Sequence, residues 1–340
     1  MIYAMYKEED MKQSYYLYRS GRLQRKDKTL EIVYKDNTKK SIPIERVDDI
    51  YVMTELDFNT KLLNFLSSYG INIHFFNYYG FYTGTYCPKE SLVSGKLFIK
   101  QVEYYNDIEK RLNIAKSFIE AASYNIYRNL TYYNNRGKDL KKYMEEIDYL
   151  RKQINLCKDV PELMGIEGNI RKVYYDSWNI IINQDIAFEK RIKNPPDNSI
   201  NSLISYVNTI IYTRVLSEIY KTQLNPTISY LHEPSERRFS LCLDIAEIFK
   251  PIIADRLIFS MLNKKQITEK DFEKGLNFTY IKDKARKEIT REIDLRLQTK
   301  IKHKKLGREV SYEYLMRLEV YKLIKHLLED ENYEGFKMWW

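Results

Sequence analysis

Two hydrophobic periods divide the chain. Up to residue 86 the apolar residues fall in short β-branched and aromatic runs, over 14–18, 29–34, 40–44, 50–53, 71–76 and 82–86. Runs of that length bounded by turn residues, here Ser20-Gly21 and Asp36-Asn37, predict strands. Leu62, Leu63 and Leu66 predict one short helix starting near Asn59, and Cys87-Pro88 closes the segment. After Ser94 the period changes. Ile108, Leu112, Ala115, Ile119, Ala122 and Ile126 alternate steps of four and three, which places them on one helical face. The spacing predicts a core helix of a bundle rather than a coiled coil. A turn at 134–138 leads into helical stretches over 139–157, 167–183, 199–220, 241–262, 281–300 and 311–328, with a Pro195-Pro196 loop at 193–198. The fold class is therefore α+β with two domains: a small N-terminal β-rich domain over 1–92 and a larger C-terminal all-α domain over 93–340. The ten residues ahead of Met11 read either as an extension or as a misassigned start.

Composition narrows this. Eleven Gly and eight Pro in 340 residues are about half the usual share, too few for a whole-chain β-sandwich or barrel. No run of 18 apolar residues exists, which excludes a helical membrane span. Cys87, Cys157 and Cys242 are too widely spaced for a zinc ribbon, a redox C-x-x-C or a disulfide framework, so a reducing cytoplasm is the expected compartment. The formal charge is +9, from 56 Lys and Arg against 47 Asp and Glu. Residues 282–308 hold eleven of these bases and four acids, a net +7. That stretch, with Lys300, Lys302, Lys304 and Lys305, reads either as a surface for a polyanion partner or as a solvated helix face.

Few residues can do chemistry. His74 lies in an apolar strand pattern, and His303 and His326 lie on basic or terminal amphipathic segments. His232 differs: it follows an uncharged loop and precedes Glu233-Pro234, where the chain enters a helix. Asp244 and Glu247 are three apart among Leu243, Ile245, Ala246 and Ile248, so they share a helix face that is costly to bury unless paired or metal-bound. Pro251 directs its ring at the carbonyl of Glu247 and predicts a kink there. Glu167 sits between Gly165 and Gly168, with Arg171 one turn on; the pair reads as a helix ion pair or as a metal ligand beside a phosphate-contacting arginine. One imidazole and two or three carboxylates suit Mn²⁺ or Mg²⁺ better than zinc. No P-loop, G-x-G-x-x-G or G-x-S-x-G occurs.

Three segments in order, Met164-Gly165-Ile166-Glu167-Gly168, Thr227-Ile228-Ser229-Tyr230-Leu231-His232 and Leu243-Asp244-Ile245-Ala246-Glu247-Ile248-Phe249-Lys250-Pro251 followed by Asp255, resemble the CRISPR-associated integrase-nuclease family of spacer acquisition, the "Cas-one" family. The Asn201-Ser202 helix start, the Gly21 turn and the Gly70-Ile71-Asn72-Ile73 strand entry extend the resemblance over nearly the whole chain. The resemblance implies that Glu167, His232 and Glu247 ligate Mn²⁺ or Mg²⁺ and that Asp244 is the neighbouring acid supporting the site or the DNA. It places Arg171, Tyr174 and Arg191 near positions that face DNA or shape the pocket. It further implies a β-domain followed by a helical domain, a homodimer, a small ferredoxin-like adaptation partner, and insertion of short DNA fragments into a CRISPR array. Gly168 departs from the Ala common in relatives. Two rivals remain open: a stand-alone metal-dependent nuclease on branched DNA, and a non-catalytic basic nucleic-acid scaffold.

Overall fold

The computed structural model describes residues 12–88, 93–186, 188–193, 195–236, 239–275 and 278–339; the extension expected ahead of Met11 lies outside them. The chain divides into two compact units, Met1–Ser91 and Leu92–Trp340.

The first unit is β-rich. One sheet has the order β1 (Gln13–Leu17), β5 (Val47–Val52), β7 (Asn72–Phe76), β8 (Tyr82–Tyr86), with the first two pairings parallel and the last antiparallel. The other has the order β4 (Lys39–Pro43), β3 (Thr29–Tyr34), β2 (Gly21–Lys26), β6 (Leu56–Asp57). Strands β2 and β6 are additions to the predicted set. β2 is mostly polar because only Leu23 of its six residues is buried, so it carries no alternating apolar signal. It is held by a tight turn in which Asp27 adopts φ +52°. Gly21, at the start of β2, lets the neighbouring strand approach: a Cβ there would lie 2.4 Å from the Val33 carbonyl oxygen. Helix α1 (Thr60–Ser68) starts where expected, because the Asn59 side chain accepts the Leu62 N–H. Leu23, Leu30, Ile32, Ile50, Leu62, Leu66 and Ile73 form part of this unit's core. His74 is one of its buried strand residues, with Nδ1 2.7 Å from Thr85 Oγ1.

The second unit is helical. Its elements are α2 (Gly95–Asn106), α3 (Ile108–Asn134), α4 (Lys141–Gln153), α5 (Val160–Asp176), α6 (Trp178–Ile181), α7 (Ser199–Tyr220), α8 (Ser240–Phe249), α9 (Arg256–Asn263), α10 (Asp283–Gln298) and α11 (Tyr312–Leu327). The predicted seam of α3 is its buried face at Leu112, Ala115, Ile119, Ala122 and Ile126; only Ile108 lies outside, at the exposed helix start. α3 packs on α4, α5 and α8, while α7 is buried along nearly its whole length. Two short antiparallel ribbons interrupt the expected all-α body: β9 (Phe272–Lys274) with β10 (Thr279–Ile281), and β11 (Lys300–Lys302) with β12 (Glu309–Ser311). Strands of three residues are too short to register a period-2 pattern. Helix α5 begins before the predicted 167, because Asp159 caps it and Pro161 occupies its first turn.

The predicted kink at Pro251 takes the form of a π-helical segment, Lys250–Asp255, joining α8 to α9. Proline supplies no N–H to the α-helical ladder, and a wider turn relieves its ring clash. Asn side chains from the buried face of α3 serve the carbonyls nearby. Asn125 Nδ2 donates to the Ile248 carbonyl at 3.1 Å, and Asn129 Nδ2 donates to the Pro251 carbonyl at 2.7 Å. Asn125 also pins the C-terminal tail, accepting the Met338 N–H at 2.8 Å.

Candidate metal centre

Helix α5 presents Glu167, Arg171 and Tyr174 on adjoining turns. Helix α8 presents Asp244 and Glu247, and the loop before it presents His232. Arg171 links the two glutamates: its Nε donates to Glu167 Oε1 at 3.3 Å and its Nη2 to Glu247 Oε2. Glu247 also pairs with Lys250, one turn later on the kinked helix. Burial pushes the Glu247 carboxyl up, but the Lys250 and Arg171 cations outweigh burial and hold it well below the usual carboxylate range. Glu247 is therefore a buried, ionised acceptor, whereas Glu167 is only partly covered.

Asp244 does a different job from Glu247, although one turn separates them. It is fully buried and accepts four hydrogen bonds. Oδ2 receives the N–H groups of Tyr230 and Leu231 at 2.7 and 2.9 Å, and Oδ1 receives the N–H of His232 at 3.0 Å. The fourth, at 2.8 Å, comes from Nδ1 of His232 itself. The carboxylate thus shapes the loop and fixes the imidazole with Nδ1 protonated, which leaves the Nε2 lone pair outward as a ligand. His232 is among the groups that act electrostatically on Glu247, so the ring and the glutamate are near neighbours.

The structure brings Glu167, His232, Asp244 and Glu247 into one region. The three proposed ligand side chains do not close to within 4.8 Å of one another; Arg171 lies between the glutamates in their place. Two carboxylates and an oriented imidazole, with cations compensating the buried charge, are a donor set that fits Mn²⁺ or Mg²⁺. Tyr174 is fully buried, its hydroxyl 3.1 Å from Asn129 Nδ2, and it offers no surface to a ligand in this arrangement. Arg191 is largely committed to structure, donating to the Ile192 carbonyl, to Asn201 Oδ1 at 3.1 Å and to Ser205 Oγ at 2.9 Å. Lys300 and Lys302 flank the exposed β11 ribbon, and Lys304 and Lys305 lie in its turn, with Lys304 5.5 Å from the Trp339 ring centroid.

Asp255, four residues after Pro251, is a further acid electrostatically linked to Arg171, Lys250 and Glu247. It is buried, and burial lifts its carboxyl to about 7 against the attraction of Arg171. Lys250, paired with Glu247, and Asn129, bound to the Pro251 carbonyl, complete the surroundings. The signal for Asn129 was legible: it and Asn125 are polar residues on the otherwise apolar face of α3.

An N-terminal β-unit followed by a helical unit whose α5 and α8 meet at an acid-and-histidine centre defines the class. The family model described as "CRISPR associated protein Cas1" matches residues 15–294. The CRISPR-associated endonuclease Cas1 of Fusobacterium nucleatum subsp. nucleatum is 61% identical over 331 residues, covering 97% of this chain and 98% of that protein. The solved structure of a Cas1 protein from Thermotoga maritima is 39% identical, with a TM-score of 0.83, and covers 96% of this chain and 100% of that one. A casposase bound to integration product shares the fold at a TM-score of 0.84 and 21% identity, covering 95% of this chain and 93% of that one. The chain belongs to the CRISPR-associated protein Cas1 family.

Proposed function

We propose that this chain is a divalent-metal-dependent DNA endonuclease and integrase that inserts short DNA fragments into a CRISPR array by transesterification. The observation that carries the reading is the meeting of Glu167 and Glu247 on Arg171, with His232 oriented by Asp244 beside them. Glu167, Glu247 and Nε2 of His232 would hold Mn²⁺ or Mg²⁺, which when bound polarises a phosphoryl oxygen and offsets charge developing on oxygen. The protein's own groups do the rest. Asp244 keeps the imidazole in the ligating tautomer, and Arg171 and Lys250 supply positive charge where a scissile phosphate would sit. In the strand-transfer step a 3′-hydroxyl of the fragment forms a new bond to phosphorus in the repeat, the bond to the repeat's own 3′-oxygen breaks, and the proton passes through solvent to the leaving oxygen. No covalent enzyme intermediate is required, so positioning of the two strands is the main task.

Lys300, Lys302, Lys304 and Lys305 are proposed to follow the DNA backbone without reading sequence. A homodimer and a small ferredoxin-like adaptation partner complete the working assembly, which operates in the cytoplasm. No helix among the described residues is long and apolar enough to cross a membrane. The test is an integration assay with the purified protein, its partner, a labelled fragment and Mn²⁺. Chelator, Glu167→Ala and His232→Ala each abolish strand transfer while DNA binding persists. Full activity in chelator or in either variant refutes the proposal.

A further inference from the structure

Three buried polar atoms around Tyr174 have no partner. Among the described residues, Nη1 of Arg171, Oδ2 of Asp255 and Oδ1 of Asn129 are each buried without a hydrogen bond. One is a donor and two are acceptors. All three residues surround the same ring. Arg171 precedes Tyr174 by three residues on α5 and acts electrostatically on its hydroxyl. Asn129 Nδ2 donates to that hydroxyl at 3.1 Å, and Asp255 is its strongest charged neighbour. Folded proteins leave few buried donors and acceptors unpaired, because each one forfeits its bonds to water.

The other edge of the Arg171 guanidinium is committed. Nε donates to Glu167 Oε1 at 3.3 Å and Nη2 to Glu247 Oε2. Those glutamates are two of the three groups proposed to hold a divalent ion, so arginine and ion compete for the same oxygens. A guanidinium carries five N–H donors in a rigid fork and keeps its charge. When an ion draws the glutamate lone pairs away, a buried arginine needs another acid, since an uncompensated buried charge is costly. Lys250 is a cation, and Asp244 already accepts four hydrogen bonds. Three carboxylates act on Arg171: Glu247, Glu167 and Asp255. Asp255 alone stands outside the ligand set. It ends the π-helical segment, is 1% exposed, and has an oxygen to spare.

We infer that Asp255 is a positioning residue for Arg171, receiving the Nη1 edge of its guanidinium when a divalent ion takes Glu167 and Glu247. The exchange is a movement of one side chain between two sets of acceptors; only hydrogen bonds change hands. It keeps the arginine's charge beside the centre and frees Nε and Nη2 to face a phosphate oxygen. The inference rests on the proposed reading of Glu167, His232 and Glu247 as ligands.

The test is a double-mutant cycle read by isothermal titration of Mn²⁺, without nucleic acid, on the wild type, Asp255→Asn, Arg171→Gln and the two combined. Asparagine matches aspartate in size and keeps an acceptor oxygen, but it carries no charge to hold a guanidinium. Asp255→Asn weakens Mn²⁺ binding by about tenfold or more, the worth of one charge-assisted hydrogen bond. In the Arg171→Gln background the same substitution changes nothing, because no arginine has to be received. A direct field of Asp255 on the ion would act in both backgrounds, so equal losses in the two overturn the inference. Wild-type affinity in Asp255→Asn overturns it as well. A wild type that binds no Mn²⁺ overturns the ligand reading beneath it. Because Arg171 is buried, a second readout uses no arginine variant. With isotope-labelled arginine, nuclear magnetic resonance shows saturating Mg²⁺ shifting a guanidinium signal in the wild type, and by a different amount in Asp255→Asn. An arginine spectrum untouched by Mg²⁺, or shifted identically in both proteins, overturns the exchange.

Discussion

Replacing Asp244 by asparagine probes the centre through a residue that is not itself a ligand. Asp244 accepts four hydrogen bonds, two on each oxygen, from Tyr230, Leu231 and His232. Asparagine keeps one acceptor oxygen and turns an NH₂ group toward donors in place of the other. Two charge-assisted bonds are lost, at roughly 1.5–3 kcal/mol each, so the substitution costs about 3–6 kcal/mol. That is a large share of the roughly 5–15 kcal/mol by which domains are stable. The same change loosens the imidazole and lowers its basicity, which at other metal centres weakens binding about 10- to 100-fold. Urea unfolding reads the first effect. Titration of Mn²⁺ followed by electron paramagnetic resonance, at a temperature where the variant is folded, reads the second. A variant with wild-type stability and wild-type Mn²⁺ affinity would show that Asp244 neither holds the loop nor orients His232.

Further predictions concern other parts of the molecule. Gly21→Ala forces a methyl group to 2.4 Å from the Val33 carbonyl oxygen, so β2 and β3 must part; a loss of about 1–3 kcal/mol is expected in urea unfolding. Burial lifts Asp255 to about 7, whereas the unfolded chain loses that proton near pH 4. The folded state binds the extra proton between those values, so this residue's contribution to stability falls as pH rises from about 4 to about 7. Asp255→Asn removes that decline, which denaturant melts across the same pH window will show.

The sequence was most legible where one physical signal governed a long element. The α3 seam and the full span of α7 could be read from periodicity, because burial is continuous along one face or all around. The first unit's helix could be placed by its Asn59 cap. Elements held by hydrogen bonding rather than by an apolar pattern were not visible, as with the polar β2 strand and the three-residue ribbons β9–β10 and β11–β12. At the candidate site, residue types and order pointed to Glu167, His232, Asp244 and Glu247, and the chain brings them to one region. Equal spacing could not tell that Asp244 faces a loop while Glu247 faces two cations. That division depends on how α5 and the His232 loop pack against α8, which no local pattern encodes. Asp255 was hidden for the same reason: its environment comes from α5 and the π-helical turn, not from its neighbours in sequence.

Glu167, His232 and Glu247 are proposed to bind one divalent ion together. Isothermal titration of Mn²⁺ into the wild type and into Glu167→Ala, His232→Ala and Glu247→Ala tests it without any nucleic acid present. One site per chain is expected in the wild type, with a large loss of affinity in each variant. Wild-type affinity in all three variants would contradict it.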